Sequence, residues 1–284
     1  MFCKEEIDII ENSISLLNTS IEFEEIIDSY LSGVSTDEEI KGDDRLSYRK
    51  RKLDQLQYRF KKIYNLDILC PENGCSVLNV KCSSNLRVKM YLHRFLSFKN
   101  STGGGNANAD GSAELFEDIS ANAVKNYLGD GSKSIMVGEG RANLTETRLK
   151  QISKEIHENT GLYDNLPNQA KDDGVDFIVY KPIDERNVGN LVILGQACIG
   201  KNFRLKKSIR QRWQNEYITY AVKPPTTLLS IVCFLEADEL KKVHSDFDNS
   251  IVFDKGRIMK YYNTNDKDLN SRIINFVNEN INDD

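Results

Sequence analysis

DDGVDFIVYKPIDERNVGNLVILGQACIGKNF, Asp172 to Phe203, is the stretch that decides how this chain is read. It contains two apolar runs rich in β-branched residues, Val175–Tyr180 and Leu191–Cys198. Between them lies a polar connector carrying Pro182, Asp184, Glu185 and Gly189. Two such runs joined by turn-forming residues predict an antiparallel hairpin. Asp176 opens the first strand and Gln196 sits near the end of the second. Antiparallel strands bring the start of one beside the end of the other, so Asp176 and Gln196 are expected at the same end of the hairpin. Lys201 follows just past the second strand. A carboxylate, a second oxygen ligand and a lysine at a strand end suit a divalent cation and a phosphodiester.

The order Asp-Gly-Val-Asp, hairpin, Gln near the end of the next strand resembles the core of the PD-(D/E)xK nucleases. The nearest branch is the Mrr-type restriction endonucleases, in which Gln replaces the usual Glu. A second match lies upstream in Gly111–Leu128, GSAELFEDISANAVKNYL. It is similar to the family's first core helix, which opens with Gly and then a Phe-Glu pair, here Phe116 and Glu117. The resemblance runs from about Gly111 to Tyr262. It implies a restriction-endonuclease-like α/β fold: a mixed central sheet flanked by helices, preceded here by a mostly helical N-terminal region.

What the resemblance implies for the site follows residue by residue. Asp176 would anchor a Mg²⁺ or Mn²⁺ ion, with Gln196 and the main-chain carbonyl of Ala197 as neutral oxygen ligands. Glu117, from the first core helix, would complete the shell or orient water. A Gln in place of Glu removes one negative charge, so weak cation binding is expected. The family's lysine stands two residues after the Glu or Gln, and here that position is Cys198. The nearest substitute is Lys201, with Lys206 and Lys207 behind it.

Each of these residues also has an ordinary structural reading. Asp172 and Asp173 precede Gly174 as turn residues do. Gln196 is compatible with a hydrogen-bonded strand residue, Glu117 with a solvent-facing helical acid and Lys201 with a loop lysine. Cys198 as a nucleophile has no partnered histidine in the motif to lower its pKa.

Composition narrows the field. The chain has 284 residues, 39% hydrophobic and 29% charged, which suits one or two folded domains. No apolar run reaches membrane-spanning length. The first residues, MFCKEEIDIIENS, lack the basic-then-apolar form of a signal peptide, and the cytoplasm is the expected compartment. A formal net charge of −5 argues against a uniformly basic surface, so local basic faces must carry any nucleic-acid contact. Cys70, Cys75 and Cys82 form the only cysteine cluster, without a CxxC pair, and ordinary reduced thiols are expected. Three histidines and no GxSxG leave little support for a hydrolase triad.

Along the chain, Ile7, Ile10, Ile14, Leu17 and Ile21 mark one apolar stripe of a helix over 4–31. A second helix is expected over 46–64, with the basic run Arg49, Lys50, Arg51 and Lys52 near its start. Residues 67–99 are expected to be β-rich, with short strands or mixed elements at Asp67–Leu69, Ser76–Cys82 and Val88–Phe98. STGGGNANADG, 101–111, has almost no apolar content and predicts a loop or domain boundary. The expected organisation is therefore an N-terminal region over 1–100, this loop, and a nuclease-like domain over 112–284. Within that domain we expect a helix at 113–128 with Phe116, Ile119, Ala123 and Tyr127 on one face, a strand at Ser134–Val137 and a helix at Thr145–Glu158 with Thr145 as its N-cap. After the hairpin come a helix at Leu205–Ala221 through Leu205, Ile209, Trp213 and Tyr217, a buried strand at Leu228–Leu235, a helix at Asp238–His244, a strand at Ser250–Phe253 and a last helix at Asp268–Asn280. The polar face of the 205–221 segment carries Lys206, Lys207, Arg210 and Arg212, candidates for phosphate contact.

The expected activity is metal-dependent DNA cleavage, as the effector subunit of a bacterial anti-phage or mobile-element defence system. The expected partners are DNA and an ATPase, helicase or sensor subunit, or a second copy of the chain. All of that context comes from the resemblance. The first rival is a catalytically inactive module of the same fold that binds nucleic acid or a partner protein, because position 198 lacks the lysine; the second is a structural subunit whose N-terminal heptad-like helix docks on another chain. RNA as substrate is left open, since nothing in the sequence reads a 2′-hydroxyl.

Overall fold

Short strands that are apolar and buried along nearly their whole length build the centre of the structure, a computed structural model. It describes residues 84–103, 109–137, 144–161, 173–184, 189–200, 203–205, 211–222, 224–247 and 250–281, single positions at 186 and 209, and parts of 47–63. The expected helix over 4–31, the basic run 49–52, the first two candidate strands, the clustered cysteines, and Lys201, Lys206, Lys207 and Arg210 lie outside the described residues.

These residues divide into two compact units. One contains α1 (Ser84–Thr102) and α7 (Lys267–Asn280), which pack on each other. The expected strand at Val88–Phe98 is thus helical. The segment VKMYLHRFLSF begins with apolar residues at both β and α spacing. Its buried apolar residues, Val88, Leu92, Phe95 and Leu96, follow the helical period, and the polar His93, Arg94, Ser97 and Lys99 are buried with them. Phe95 meets Phe276 edge-to-face at 5.2 Å, and the Lys99 ammonium lies 5.1 Å from the Phe276 ring centre. The last helix therefore belongs with α1, and the second unit ends at Asn263 rather than continuing through the C-terminal helix.

The second unit, Gly103–Asn263, holds a five-stranded mixed sheet. Its strands are β1 (Lys133–Met136), β3 (Phe177–Lys181), β4 (Leu191–Cys198), β6 (Thr226–Ile231) and β7 (Ile251–Phe253), adjacent in that order. β1 and β4 flank β3 in antiparallel fashion, while β4, β6 and β7 are parallel. A separate pair, β2 (Asn159–Thr160) and β5 (Ile218–Thr219), lies outside this sheet.

Helices cover both faces. Ile135, Ile178, Tyr180, Val192 and Leu194 share a core with Leu149 and Ile152 of α3 (Glu146–Glu155) and with Trp213 of α4 (Gln211–Asn215). Thr145 caps α3 as expected, its side chain accepting the Arg148 N–H at 3.1 Å. Further along that face, Cys198, Leu229, Ile231 and Val252 pack with Val243 of α5 (Ala237–Asp246). The alternate positions Phe177, Val179 and Ile193 are buried on the opposite side, where α2 (Ser112–Leu128) lies against β1, β3 and β4. α6 (Lys255–Tyr261) packs on α2. Tyr127, expected on one face of α2 with Phe116, Ile119 and Ala123, is 46% exposed, but its ring meets Phe253 and Tyr261 edge-on at 5.5 and 5.0 Å.

The expected helix over 205–221 is corrected. A 3-10 turn, Phe203–Leu205, precedes α4, and the chain is already in β5 by Ile218. Ile209, Trp213 and Tyr217 are buried at the anticipated spacing of four, yet the main chain leaves the helix after Asn215 to pair with β2. Among the described residues no helix is long and apolar enough to cross a membrane.

Candidate functional site

The register of the hairpin fixes where the candidate residues meet. Phe177 pairs with Gly195 and Lys181 with Leu191. Asp176 stands one residue before β3 begins, and its N–H donates to the Gly195 carbonyl at 2.9 Å. On the other flank, the Val137 N–H donates to the Asp176 carbonyl at 2.8 Å. Asp176 is thus gripped by its main chain between the end of β1 and the end of β4. Its side chain then takes over where the ladder stops: the Ala197 N–H donates to Oδ2 at 2.6 Å. A bond to a carboxylate is charge-assisted and favours the ionised form.

Gln196 is buried beside this junction. Its amide nitrogen lies 3.2 Å from where a side chain on Gly174 would begin. Gly174 has φ +85°, and Asp173 before it has φ +48°, so two successive left-handed residues turn the chain into β3. Gly174 therefore serves both the turn and the space that Gln196 occupies. Gly195 has a different role. A Cβ there would lie 2.2 Å from two carbons of the Phe177 ring, so only glycine lets that ring rest on β4.

The structure brings together Asp176, Gln196 and the main chain of Ala197. Glu117 is in the second turn of α2 and 9% exposed. The Lys181 ammonium, at the far end of β3, donates to the Leu128 carbonyl at 2.6 Å. The C-terminus of α2 is thereby tied to the end of the sheet away from Asp176. That helix covers the face opposite the one shared by Leu194 and Gln196. Cys198, where the family's pattern has lysine, is buried, and its thiol points to the Gly200 carbonyl at 3.7 Å. It adds no positive charge. Lys201, Lys206, Lys207 and Arg210 are not among the described residues, so of the basic candidates only Arg212 is placed.

Sequence reasoning missed one set of neighbours. The Tyr217 hydroxyl donates to the Asp173 carboxylate, and the Arg212 guanidinium bonds to the same hydroxyl. Burial first, then the bond to Asp173, pushes the Tyr217 hydroxyl up to about 12, so it remains a donor at neutral pH. Arg212 also lies 3.5 Å from Glu216. Asp173 and Tyr217 are distant in sequence, and no local pattern announces the pair.

A divalent cation would find Asp176, the Gln196 amide and the Ala197 main chain within one small region. Among the described residues no three of His, Cys, Asp and Glu group as a metal site. The candidate ligand set has only two carboxylates, Asp176 and Glu117, and relies on amide and main-chain oxygens for the rest. Such oxygen-rich, low-charge sets suit a hard, weakly held ion. No protein-family model, curated protein or solved structure matches the chain.

Proposed function

We propose that the chain is a metal-dependent DNA endonuclease of restriction-endonuclease-like architecture. The observation that carries this reading is the Asp176 carboxylate held against the Ala197 main chain with Gln196 alongside. Supporting it is the chain order: a helix opening at Ser112, a first strand, then α3 and the short β2, and after them the hairpin whose open end carries Asp176 and Gln196.

In this reading Asp176, Gln196, the Ala197 carbonyl and Glu117 hold Mg²⁺ or Mn²⁺. The bound ion would supply an acidified water and neutralise charge on the scissile phosphate. The Ala197 N–H, donating to the Asp176 carboxylate, fixes its orientation. Glu117 orients the attacking water. Lys201 supplies the fixed positive charge that Cys198 does not. Arg212, with Lys206, Lys207 and Arg210, binds flanking phosphates. DNA is the substrate. The protein works in the cytoplasm in anti-phage or mobile-element defence, with an ATPase, helicase or sensor partner or as a homodimer.

One observation favours a second reading. Cys198 is buried and turned toward the Gly200 carbonyl, so nothing at the family's lysine position can meet a phosphate. An inactive module that binds nucleic acid or a partner would have this feature.

Purified protein incubated with plasmid and single-stranded DNA, in Mg²⁺, Mn²⁺ or EDTA, decides between them. Metal-dependent nicking that is lost in Asp176→Ala and Lys201→Ala supports the nuclease with its displaced lysine. Loss in Asp176→Ala alone moves the lysine's role to Lys206 or Lys207. Absence of cleavage under every condition favours the binding module.

A further inference from the structure

The Asp173–Gly174 turn is the least relaxed piece of backbone beside the candidate site. Asp173 is one of two described non-glycine residues with positive φ, the other being His157. An L residue adopts this conformation only where its surroundings hold it there, and aspartate tolerates it better than most. Asp173 is 8% exposed, too buried for water to be the main partner of its carboxylate.

Tyr217 is placed to hold it. The ring is 1% exposed and meets Trp213 edge-on at 5.4 Å. The Tyr217 N–H donates to the Arg212 carbonyl at 2.8 Å, and its own carbonyl accepts the Gly161 N–H at 3.0 Å. That approach is close: a Cβ on Gly161 would lie 1.8 Å from the Glu216 carbonyl oxygen. The Tyr217 hydroxyl is therefore a fixed point, anchored through its ring and both of its main-chain groups. From it the contacts run to Asp173, through Gly174 to the Gln196 amide, and along the chain to Asp176.

We infer that Tyr217 is a positioning residue for the candidate cation site. Its hydroxyl holds the Asp173 carboxylate and, through the left-handed Asp173–Gly174 turn, sets the places of Gln196 and Asp176. The inference rests on the nuclease reading and adds to it a residue that touches neither cation nor DNA.

The competing account is that Asp173 only shapes a turn. Asp173→Gly separates the two, because glycine relieves the positive φ while removing the carboxylate. Tyr217→Phe removes the hydroxyl and keeps the ring. Asp173→Asn retains an acceptor oxygen. The experiment titrates Mn²⁺ alone into wild type, these three variants and Asp176→Ala, and measures cleavage kcat and KM together with the melting temperature of each.

The expected result is that Tyr217→Phe and Asp173→Gly weaken Mn²⁺ binding and lower kcat by about tenfold or more, the usual consequence of losing a group that orients metal ligands. KM for DNA stays near wild type, Asp173→Asn recovers most of the loss, and Asp173→Gly melts no lower than Tyr217→Phe. Wild-type Mn²⁺ affinity and kcat in both Tyr217→Phe and Asp173→Gly would overturn the inference while Asp176→Ala, inactive, upholds the nuclease. Failure of wild type to bind Mn²⁺ or cleave would remove the nuclease reading, and the inference with it.

Discussion

The ring of Phe177 rests on the backbone of Gly195, its cross-strand partner, so closely that any side chain on Gly195 would begin inside the ring's contact distance. The pair stands one residue from Asp176 and one from Gln196. A slip of one residue would turn both side chains to the other face of the sheet. The contact therefore pins the register on which the candidate site depends. A glycine that looks like part of a signature has, first, a packing reason to be there.

Gly195→Ala is accordingly expected to destabilise the fold by about 1–3 kcal/mol, the usual cost of overpacking a buried contact. Adding Phe177→Leu should recover part of that loss, since the smaller side chain vacates the space the new methyl needs. Urea melts of the two single variants and the double variant measure the coupling. Additive losses would show that Phe177 and Gly195 do not share this space.

Asp176 has a structural duty that can be separated from its proposed chemical one. Asn at this position keeps an acceptor oxygen for the Ala197 N–H, whereas Ala leaves that N–H to find another partner. Asp176→Ala should cost about 1–3 kcal/mol of stability and Asp176→Asn less, because a neutral acceptor replaces a charged one. Both should abolish metal-dependent cleavage, since neither supplies a carboxylate. Paired melting and nicking assays would show it. Cleavage retained by Asp176→Asn would remove the requirement for a charge.

Much of the second unit was legible because its signals are local. The two runs of the hairpin, the Thr145 cap, and the helix of Ser112–Leu128 each rest on residues a few positions apart. Where the signals conflicted, the reading failed. Val88, Met90 and Leu92 alternate as a strand does, but the longer apolar set continues to Phe95, Leu96 and beyond at helical spacing, and the helix wins over nineteen residues. Trp213 and Tyr217 are four apart, as on a helix, yet Tyr217 reaches the same core from just before a short strand. The packing of Lys267–Asn280 on Ser84–Thr102 could not be read, because an amphipathic helix does not name its partner. Of the candidate site, the meeting of Asp176 and Gln196 followed from strand direction alone. The bond between Tyr217 and Asp173 did not, because it joins residues forty-four apart through a buried hydroxyl.

That hydroxyl gives a pH signature. Its folded-state pKa is raised from 10.0 to about 12, chiefly by burial and next by the bond to Asp173. The folded protein therefore holds this proton more tightly than the unfolded chain. The associated stability is fully present below pH 10 and is lost as pH rises toward 12. Other groups titrate in this range, so the measurement is the stability difference between wild type and Tyr217→Phe. That difference should be constant through neutral pH and shrink in favour of the variant between about pH 10 and 12. A difference that does not change across the range would mean that the hydroxyl is not held as described.

Asp254 carries the opposite lesson about a buried charge. It caps Lys255–Tyr261, accepting the Arg257 N–H at 3.0 Å and, from elsewhere in the unit, the Leu235 N–H at 3.1 Å. It is 3% exposed. Burial raises its pKa above the ordinary aspartate value, and the main-chain donors and Arg257 only partly offset that. A carboxylate with a raised folded-state pKa contributes most while protonated, at pH values below its unfolded pKa, and the contribution falls as pH climbs through the folded value. Asp254→Asn keeps the cap's acceptor and removes the buried charge, so at neutral pH it should be as stable as wild type or more so. Wild type should gain relative to Asp254→Asn as pH falls toward about 4, near the unfolded aspartate value. Asp254→Ala loses the cap and should cost about 1–2 kcal/mol. Melting curves of all three proteins from neutral to acid pH test the assignment. If Asp254→Asn is the less stable at neutral pH by as much as Asp254→Ala, the negative charge itself supports the fold, and its interaction with Arg257 outweighs its burial.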